Sequence, residues 1–243
     1  NSPDYIKTGR FREKIGRRKK DIFGDEVMLI IKALKAKGIH YHETIFKLHV
    51  ALGAREGSKD SKSGICGITW DNFKHNFTSV DDYESKVRSG IWWRDCPLNL
   101  LFTDLPEKLR QLWMDRGKPT TDKVIPNGYP ELKSIYKEIR KTLAEYYQGK
   151  LDPSLYNEFI SLRPHDADKI HVNLLWEAGT PLEVVAGQFL GRGEGIGLVG
   201  RGWLTIDVIK KYYLSLTQRS KRFQKVKTQI QQYSHRFNGA QEA

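Results

Sequence analysis

Five side chains of types that can act on a phosphate ester are spread along the chain: Arg55, Lys86, His165, Trp203 and Tyr212. An arginine can hold an anion through two parallel hydrogen bonds, because its guanidinium is a planar fork. A lysine can protonate a leaving oxygen, and a histidine can transfer a proton or bind the phosphate. A tyrosine phenol, with an ordinary pKa of about 10, attacks phosphorus only when cations and a proton acceptor lie nearby. Tyr212 is therefore a candidate nucleophile only in the company of the others, and a tryptophan such as Trp203 can add an indole N–H as a donor to a phosphate.

Each of these residues also has an ordinary structural interpretation. Arg55 lies between two glycines that allow a sharp turn, but a surface arginine in a loop has the same surroundings. Lys86 precedes a predicted hairpin turn at Ser89-Gly90, where an exposed lysine often protects an edge strand from pairing. Tyr212 could face the core instead. The residues are therefore informative as a set and weak one by one.

The most specific block covers residues 162–179, with the sequence LRPHDADKIHVNLLWEAG. His165 stands at the start of a predicted helix, and Gly179 follows its end. Further along, Trp203 precedes Tyr212 by nine positions.

In this order and spacing, the residues resemble the active-site set of the tyrosine recombinase (phage integrase) family: Arg, Lys, His-x-x-Arg, His or Trp, then Tyr. The resemblance covers residues 25–216 and is greatest to the integrases of archaea and their mobile elements. It implies that Tyr212 attacks a DNA phosphodiester, which forms a 3′-phosphotyrosyl bond and frees a 5′-hydroxyl. Arg55 would hold the non-bridging oxygens and Lys86 would act as the general acid. No metal, nucleotide or other cofactor is implied.

Asp168 departs from this pattern, because it occupies the place of the second arginine. The substitution changes the local charge by two units, and each unit charge at ~4 Å is worth about 4 kcal/mol at an effective dielectric constant of 20. The fold should tolerate Asp168, since a carboxylate in the first turn of a helix is favourable. Three explanations are open: an engineered inactivation, a naturally inactive relative, or compensation by another arginine. The candidates for compensation are Arg163, Arg192 and Arg201.

The net charge of +12 is concentrated at the two ends of the chain. Residues 1–20 contain eight Lys or Arg against two acidic residues, and residues 217–243 contain six against one. Such an excess favours a polyanionic partner, here double-stranded DNA, because each neutralised phosphate releases counterions. Solvated terminal tails are the alternative.

Nothing in the composition indicates a membrane protein or a disulfide-rich one. No apolar run approaches the ~20 residues of a membrane span, and two cysteines do not make a disulfide framework. We expect an intracellular protein of the cytoplasm or nucleoid that associates with DNA.

The pattern of apolar residues, prolines and glycines predicts a mainly helical protein with one small antiparallel sheet, an α+β fold. We expect the sheet within residues 65–94 and helices over 25–38, 42–52, 106–116, 130–147, 153–161, 166–178 and 181–190. The organisation is predicted as a basic arm or linker (1–24), a tyrosine recombinase catalytic domain (25–216) and a basic C-terminal helix or tail (217–243). The tail could dock on a neighbouring subunit or cover its own domain, and self-association into a dimer or tetramer on DNA is expected.

Two other motifs carry less weight. The glycine-rich segment 191–197 lacks the preceding strand and the Lys-Ser/Thr of a phosphate-binding loop, so we interpret it as a hinge. His40, His42 and His49 lack the carboxylate partner expected of a metal site.

Three functions are compatible with these residues: a site-specific DNA recombinase or integrase impaired by Asp168, an inactive DNA-binding architectural or regulatory protein, and a type IB topoisomerase-like relaxer.

Overall fold

The computed structural model describes residues 22–57, 63–84 and 91–180. Within these ranges the protein is mainly helical with one small antiparallel sheet, which confirms the predicted α+β class. The helices are α1 (Gly24–Ala36), α2 (His40–Leu52), α3 (Leu105–Asp115), α4 (Tyr129–Tyr147), α5 (Pro153–Ile160) and α6 (Ala167–Glu177). The strands are β1 (Phe73–Lys74), β2 (Ser79–Glu84) and β3 (Ile91–Pro97).

Several sequence predictions lie outside the described residues. They are the positions of Lys86, Trp203 and Tyr212, the helix over 181–190, the glycine-rich segment 191–197, Arg192 and Arg201, and the terminal stretches 1–21 and 217–243.

The first two helices form where the apolar periodicity predicts them. In α1, the residues spaced at helical intervals (Val27, Ile30, Ile31 and Leu34) are buried. The helix begins after Phe23, whose backbone N–H donates to the Glu26 carboxylate at 2.8 Å. α2 is buried on almost all sides. It ends at Gly53, which adopts a left-handed conformation with φ of 56°.

The sheet has the order β1-β2-β3, with both pairs antiparallel. Its hairpin aligns Glu84 with Ile91, so β3 follows the predicted strand 91–94 and continues to Pro97. The prediction of strand structure at Ile65, Ile68 and Trp70 is wrong, since two 3-10 turns, Gly64–Gly67 and Trp70–Asn72, occupy this segment.

The reason lies in the backbone partners of this segment. The N–H of Ile65 donates to Arg55 O, the N–H of Trp70 donates to Asp122 O, and Ile68 O accepts from Val124 N. Loops satisfy these groups, so the segment can bury its apolar side chains without joining the sheet.

The remaining helices surround one hydrophobic core. α4 contributes Ile135, Tyr136, Ile139 and Leu143, all of them buried. α6 packs against α2, and α5 packs against α4. The chain before α1 is fastened to α6, since Asn173 Nδ2 donates to Ile22 O at 3.1 Å and Gly24 N to Glu177 Oε2 at 2.9 Å. Among the described residues, no helix is long and apolar enough to cross a membrane.

Candidate functional site

The turn that carries Arg55 and Glu56 is held at one end by close packing against the His171 side chain and at the other by backbone contacts with Gly64 and Ile65. Gly53 begins it, and a Cβ at this position would come within 2.6 Å of His171 Cδ2. Arg55 O accepts a hydrogen bond from Ile65 N at 3.0 Å. Gly64 lies so close to Arg55 O that any side chain there would collide with it. The turn therefore holds Arg55 and Glu56 in one position after α2.

A buried pair of side chains in the core, Tyr136 and His49, also holds this turn. Tyr136 Oη lies 3.0 Å from His49 Nδ1, and His49 Nε2 lies 3.1 Å from Ala54 O. Burial lowers the pKa of His49 to about 4, so its imidazole is neutral at pH 7. The phenol then donates to Nδ1, and the Nε2–H donates to the carbonyl of Ala54. This chain of hydrogen bonds connects α4 with the turn before Arg55.

His165 lies in the 3-10 turn Pro164–Asp166, immediately before α6. Asp166 fixes this turn, because its carboxylate accepts from Arg163 N at 2.9 Å and from Lys169 Nζ at 3.1 Å. His165 Nδ1 faces Glu56 Oε1 at a distance of 3.5 Å. The structure thus brings His165 to the residue that follows Arg55.

The Glu56–His165 pair shifts both pKa values toward the charged forms. The hydrogen bond to Glu56 raises the pKa of His165, against partial burial, and the charge of Asp168 raises it further. Burial acts to raise the pKa of Glu56, but the hydrogen bond and charge of His165 outweigh it, so that the pKa of Glu56 is lowered. The site therefore favours a protonated imidazolium beside an ionised carboxylate.

Asp168 lies in the first turn of α6, as expected from the sequence. Its side chain is buried, with 4% of the residue exposed. It acts on His165 through its charge, but it is not among the residues that line the cleft described next. The carboxylate is therefore close enough to His165 to act on it by its charge, while the residue itself is buried and does not line the cleft.

An open cleft of about 630 Å³ lies in front of His165. One wall is α4, which contributes Tyr129, Lys133 and Arg140 at helical spacing. The other wall is the segment from α5 to the His165 turn, where Arg163 lines the cleft and is exposed. The rest of the lining is Glu56, Ile160, Ser161 and Pro164. The lining therefore contains two arginines, one lysine and one histidine against a single carboxylate.

The structure thus unites part of the predicted site. Glu56, the residue after Arg55, contacts His165, and the charge of Asp168 acts on the same imidazole. Neither Arg55 nor Asp168 is among the described residues that line the cleft. Lys86, Trp203 and Tyr212 lie outside the described residues, so their positions remain predictions.

Sequence reasoning missed three residues of this region, Glu56, Lys133 and Arg140. The positions of Tyr129, Lys133, Tyr136 and Arg140 follow a helical repeat, a signal that could have marked the basic face of α4. No comparable signal marks Glu56.

The region does not resemble a metal centre. His49 is committed to Tyr136 and Ala54, and the described part of the chain contains no group of three or more His, Cys, Asp or Glu that could hold a metal ion. The fold and cleft define a mainly helical α+β protein with a basic cleft built around a histidine. Comparison with protein-family models, with curated proteins and with solved structures gives no match.

Proposed function

We propose that the chain is the catalytic domain of a site-specific DNA recombinase or integrase of the tyrosine recombinase type, with its activity impaired by Asp168. The observation that supports this proposal most directly is the Glu56–His165 pair, because it joins the turn of Arg55 to the start of α6 beside a basic cleft. Two segments that the sequence resemblance assigns to one active site are therefore adjacent.

The described residues suit the binding of a phosphodiester at this point. A protonated His165 can donate a hydrogen bond to a phosphate oxygen, and Glu56 favours the protonated form. In the proposed reaction, Tyr212 gives its phenolic proton to solvent and attacks the phosphorus, and the bond to the 5′ oxygen breaks as Lys86 protonates that oxygen. A second 5′-hydroxyl then attacks the phosphotyrosine, which rejoins the DNA and releases the phenol of Tyr212. DNA is the partner, and self-association on DNA belongs to the same proposal.

Asp168 reduces the electrostatic stabilisation of the transition state. A dianionic phosphorane gains stability from cations and loses it near a carboxylate, and the low dielectric of a buried position increases both effects. The charge of Asp168 already reaches His165, since it raises the pKa of that imidazole. We therefore expect slow cleavage or none.

A second function is an inactive DNA-binding protein of architectural or regulatory type. The cleft supports it specifically, because Lys133, Arg140 and Arg163 line it and Asp168 does not. Binding of the DNA backbone can therefore persist where catalysis is lost.

Covalent trapping on a nicked suicide duplex tests the first function against the second. The full chain is compared with three variants: Asp168→Arg, Asp168→Asn and Asp168→Arg combined with Tyr212→Phe. We expect Asp168→Arg to form more tyrosyl adduct than the unchanged chain and the Tyr212→Phe combination to form none. Asp168→Asn removes the charge without adding bulk and should give an intermediate amount. If none of the variants forms an adduct although all bind the duplex, the recombinase proposal is wrong and the second function is favoured.

A further inference from the structure

The positive charge of the cleft comes from two separate elements that face each other. Lys133 and Arg140 are seven residues apart on α4, which corresponds to about 10 Å along the helix axis. Between them, Tyr136 is fully buried and hydrogen-bonded to His49. Both basic side chains line the cleft, so α4 offers an anion two hydrogen-bond donors along one wall.

Arg140 also connects α4 with the opposite wall of the cleft through a hydrogen bond. Arg140 Nη1 donates to Leu162 O at 2.8 Å, and Arg163 follows immediately in the chain. This bond uses one of the five N–H groups of the guanidinium, so the others can donate to a ligand. Arg163 and Arg140 therefore line the same cleft from two sides, with His165 beside them.

The remaining lining indicates what kind of anion fits. Lys133 Nζ lies 5.6 Å from the centre of the Tyr129 ring, and Ile160 adds an exposed apolar surface. A phosphodiester backbone presents an anion flanked by apolar sugar faces, which matches a basic cleft with an aromatic and an aliphatic border. Glu56 is the carboxylate of the lining, and it is paired with His165.

We infer that Lys133, Arg140 and Arg163 bind a backbone phosphate of double-stranded DNA beside His165, and that they supply from the cleft wall positive charge that position 168 lacks. The inference rests on the proposed function for the identity of the partner. It assigns to Arg163 the compensating role that the sequence left open among three arginines, and it adds Lys133 and Arg140.

The test measures the binding of the full chain to a fluorescein-labelled duplex by anisotropy over a series of NaCl concentrations. The cleft variants are Lys133→Gln, Arg140→Gln and Arg163→Gln. The matched controls are Lys141→Gln, on the same helix, and Lys32→Gln, on α1, because both side chains are exposed and neither lines the cleft. Arg140→Lys keeps the charge and controls for the loss of the bond to Leu162 O.

We expect each cleft variant to weaken binding by roughly tenfold, as for the loss of a hydrogen bond to a charged group. Each should also reduce the slope of log K against log salt, by less than the value of about 0.9 for one whole phosphate contact, because three cations share that phosphate. The control variants should leave affinity and slope unchanged, and Arg140→Lys should recover the slope. Circular dichroism melting of each variant shows that the fold is intact.

Three results would overturn the inference: equal losses in cleft and control variants, unchanged binding in the cleft variants, or no binding of the duplex by the full chain at low salt. Covalent trapping is scored separately. Cleft-dependent binding without an adduct from any position-168 variant rejects the recombinase proposal but supports the phosphate site. If a position-168 variant forms the adduct and the cleft variants bind DNA as tightly as the unchanged chain, the recombinase proposal is supported and the phosphate site is rejected.

Discussion

At the scale of single residues, the site depends on a contact between residues that are far apart in the sequence. Glu56 follows Arg55 on one turn, and His165 precedes α6 on another, yet their polar atoms lie 3.5 Å apart. Nothing in the sequence around Glu56 or around His165 indicates that the two side chains are in contact. His165 was predicted because the block around it has a recognisable order, whereas Glu56 was missed because it has none.

Replacing Glu56 by glutamine should lower the pKa of His165 toward its ordinary value. The first cause of the raised pKa is the hydrogen bond to the Glu56 carboxylate, and an amide offers a weaker, uncharged acceptor. Two-dimensional NMR of the imidazole protons against pH measures the shift. Glu107→Gln is the matched control, since Glu107 is exposed and pairs with Arg110 on α3. A His165 titration that is the same in both variants would show that Glu56 does not set this pKa.

The same pair sets a pH window for its contribution to stability. A raised pKa in the folded state gives His165 a stabilising contribution below its unfolded pKa, and this contribution is lost as the pH rises through the folded value. The lowered pKa of Glu56 gives a contribution above its unfolded pKa that is lost as the pH falls through the folded value. Both contributions are therefore fully present only between the unfolded pKa of Glu56 and that of His165, which is mildly acidic pH, and each is lost as the pH moves outward through the folded value.

At the scale of elements, helix ends were predictable and the irregular segments were not. Proline lies in the first turn of α3, α4 and α5, and glycine follows α1 and α2, so these boundaries agree with the predictions to within one or two residues. The segment 65–72 was mistaken for strand, because buried apolar residues occur in 3-10 turns as well as in strands. The difference depends on which distant loop residues accept and donate the backbone hydrogen bonds of this segment, and the local sequence does not indicate them.

The charges inside α2 show the same limit. Lys47 is 2% exposed, and its Nζ lies 2.7 Å from Glu43 Oε1 and 2.6 Å from Asp104 Oδ2. A lysine one turn after a glutamate is ordinarily read as a surface ion pair. Here the start of α3 lies against the pair. Asp104, which immediately precedes α3, is a second carboxylate partner of Lys47. Burial of this face followed from the arrangement of helices and not from the sequence of α2.

Two glycines that follow helices provide a matched test of how the Arg55 turn is held. Gly53→Ala and Gly38→Ala both place a side chain at positive φ, which strains the backbone by about 1–3 kcal/mol. Only at Gly53 does the added Cβ also collide, since Gly38 has nothing within 4 Å of that point. We expect Gly53→Ala to lower the free energy of unfolding by about 1–3 kcal/mol more than Gly38→Ala, the usual cost of overpacking. Urea denaturation measures both, and equal losses would mean that the contact with His171 does not constrain the turn.

At the scale of the whole molecule, one hydrophobic core contains residues from all six described helices. The site is built on this core, since the Arg55 turn, the His165 turn and the basic face of α4 are each connected to it. Tyr136 connects the core with the Arg55 turn, because its ring is fully buried beside Phe46 and its hydroxyl is hydrogen-bonded to His49. The charges of Glu56, Asp166 and Asp168 raise its pKa further above the value that burial gives, so the phenol keeps its proton.

Tyr136→Phe should therefore weaken the core and the site together. The variant keeps the ring but leaves His49 Nδ1 buried without its donor, which costs about 1–3 kcal/mol of unfolding free energy. Tyr156→Phe is the control, because Tyr156 is half-buried and its hydroxyl has no hydrogen-bond partner among residues 22–57, 63–84 and 91–180. Urea unfolding followed by tryptophan fluorescence and by far-UV circular dichroism should give coincident transitions for both variants, since the described helices share one core. A loss confined to one signal would instead mean that the segment around Arg55 unfolds separately, and that the Tyr136–His49 pair holds this segment alone rather than the domain.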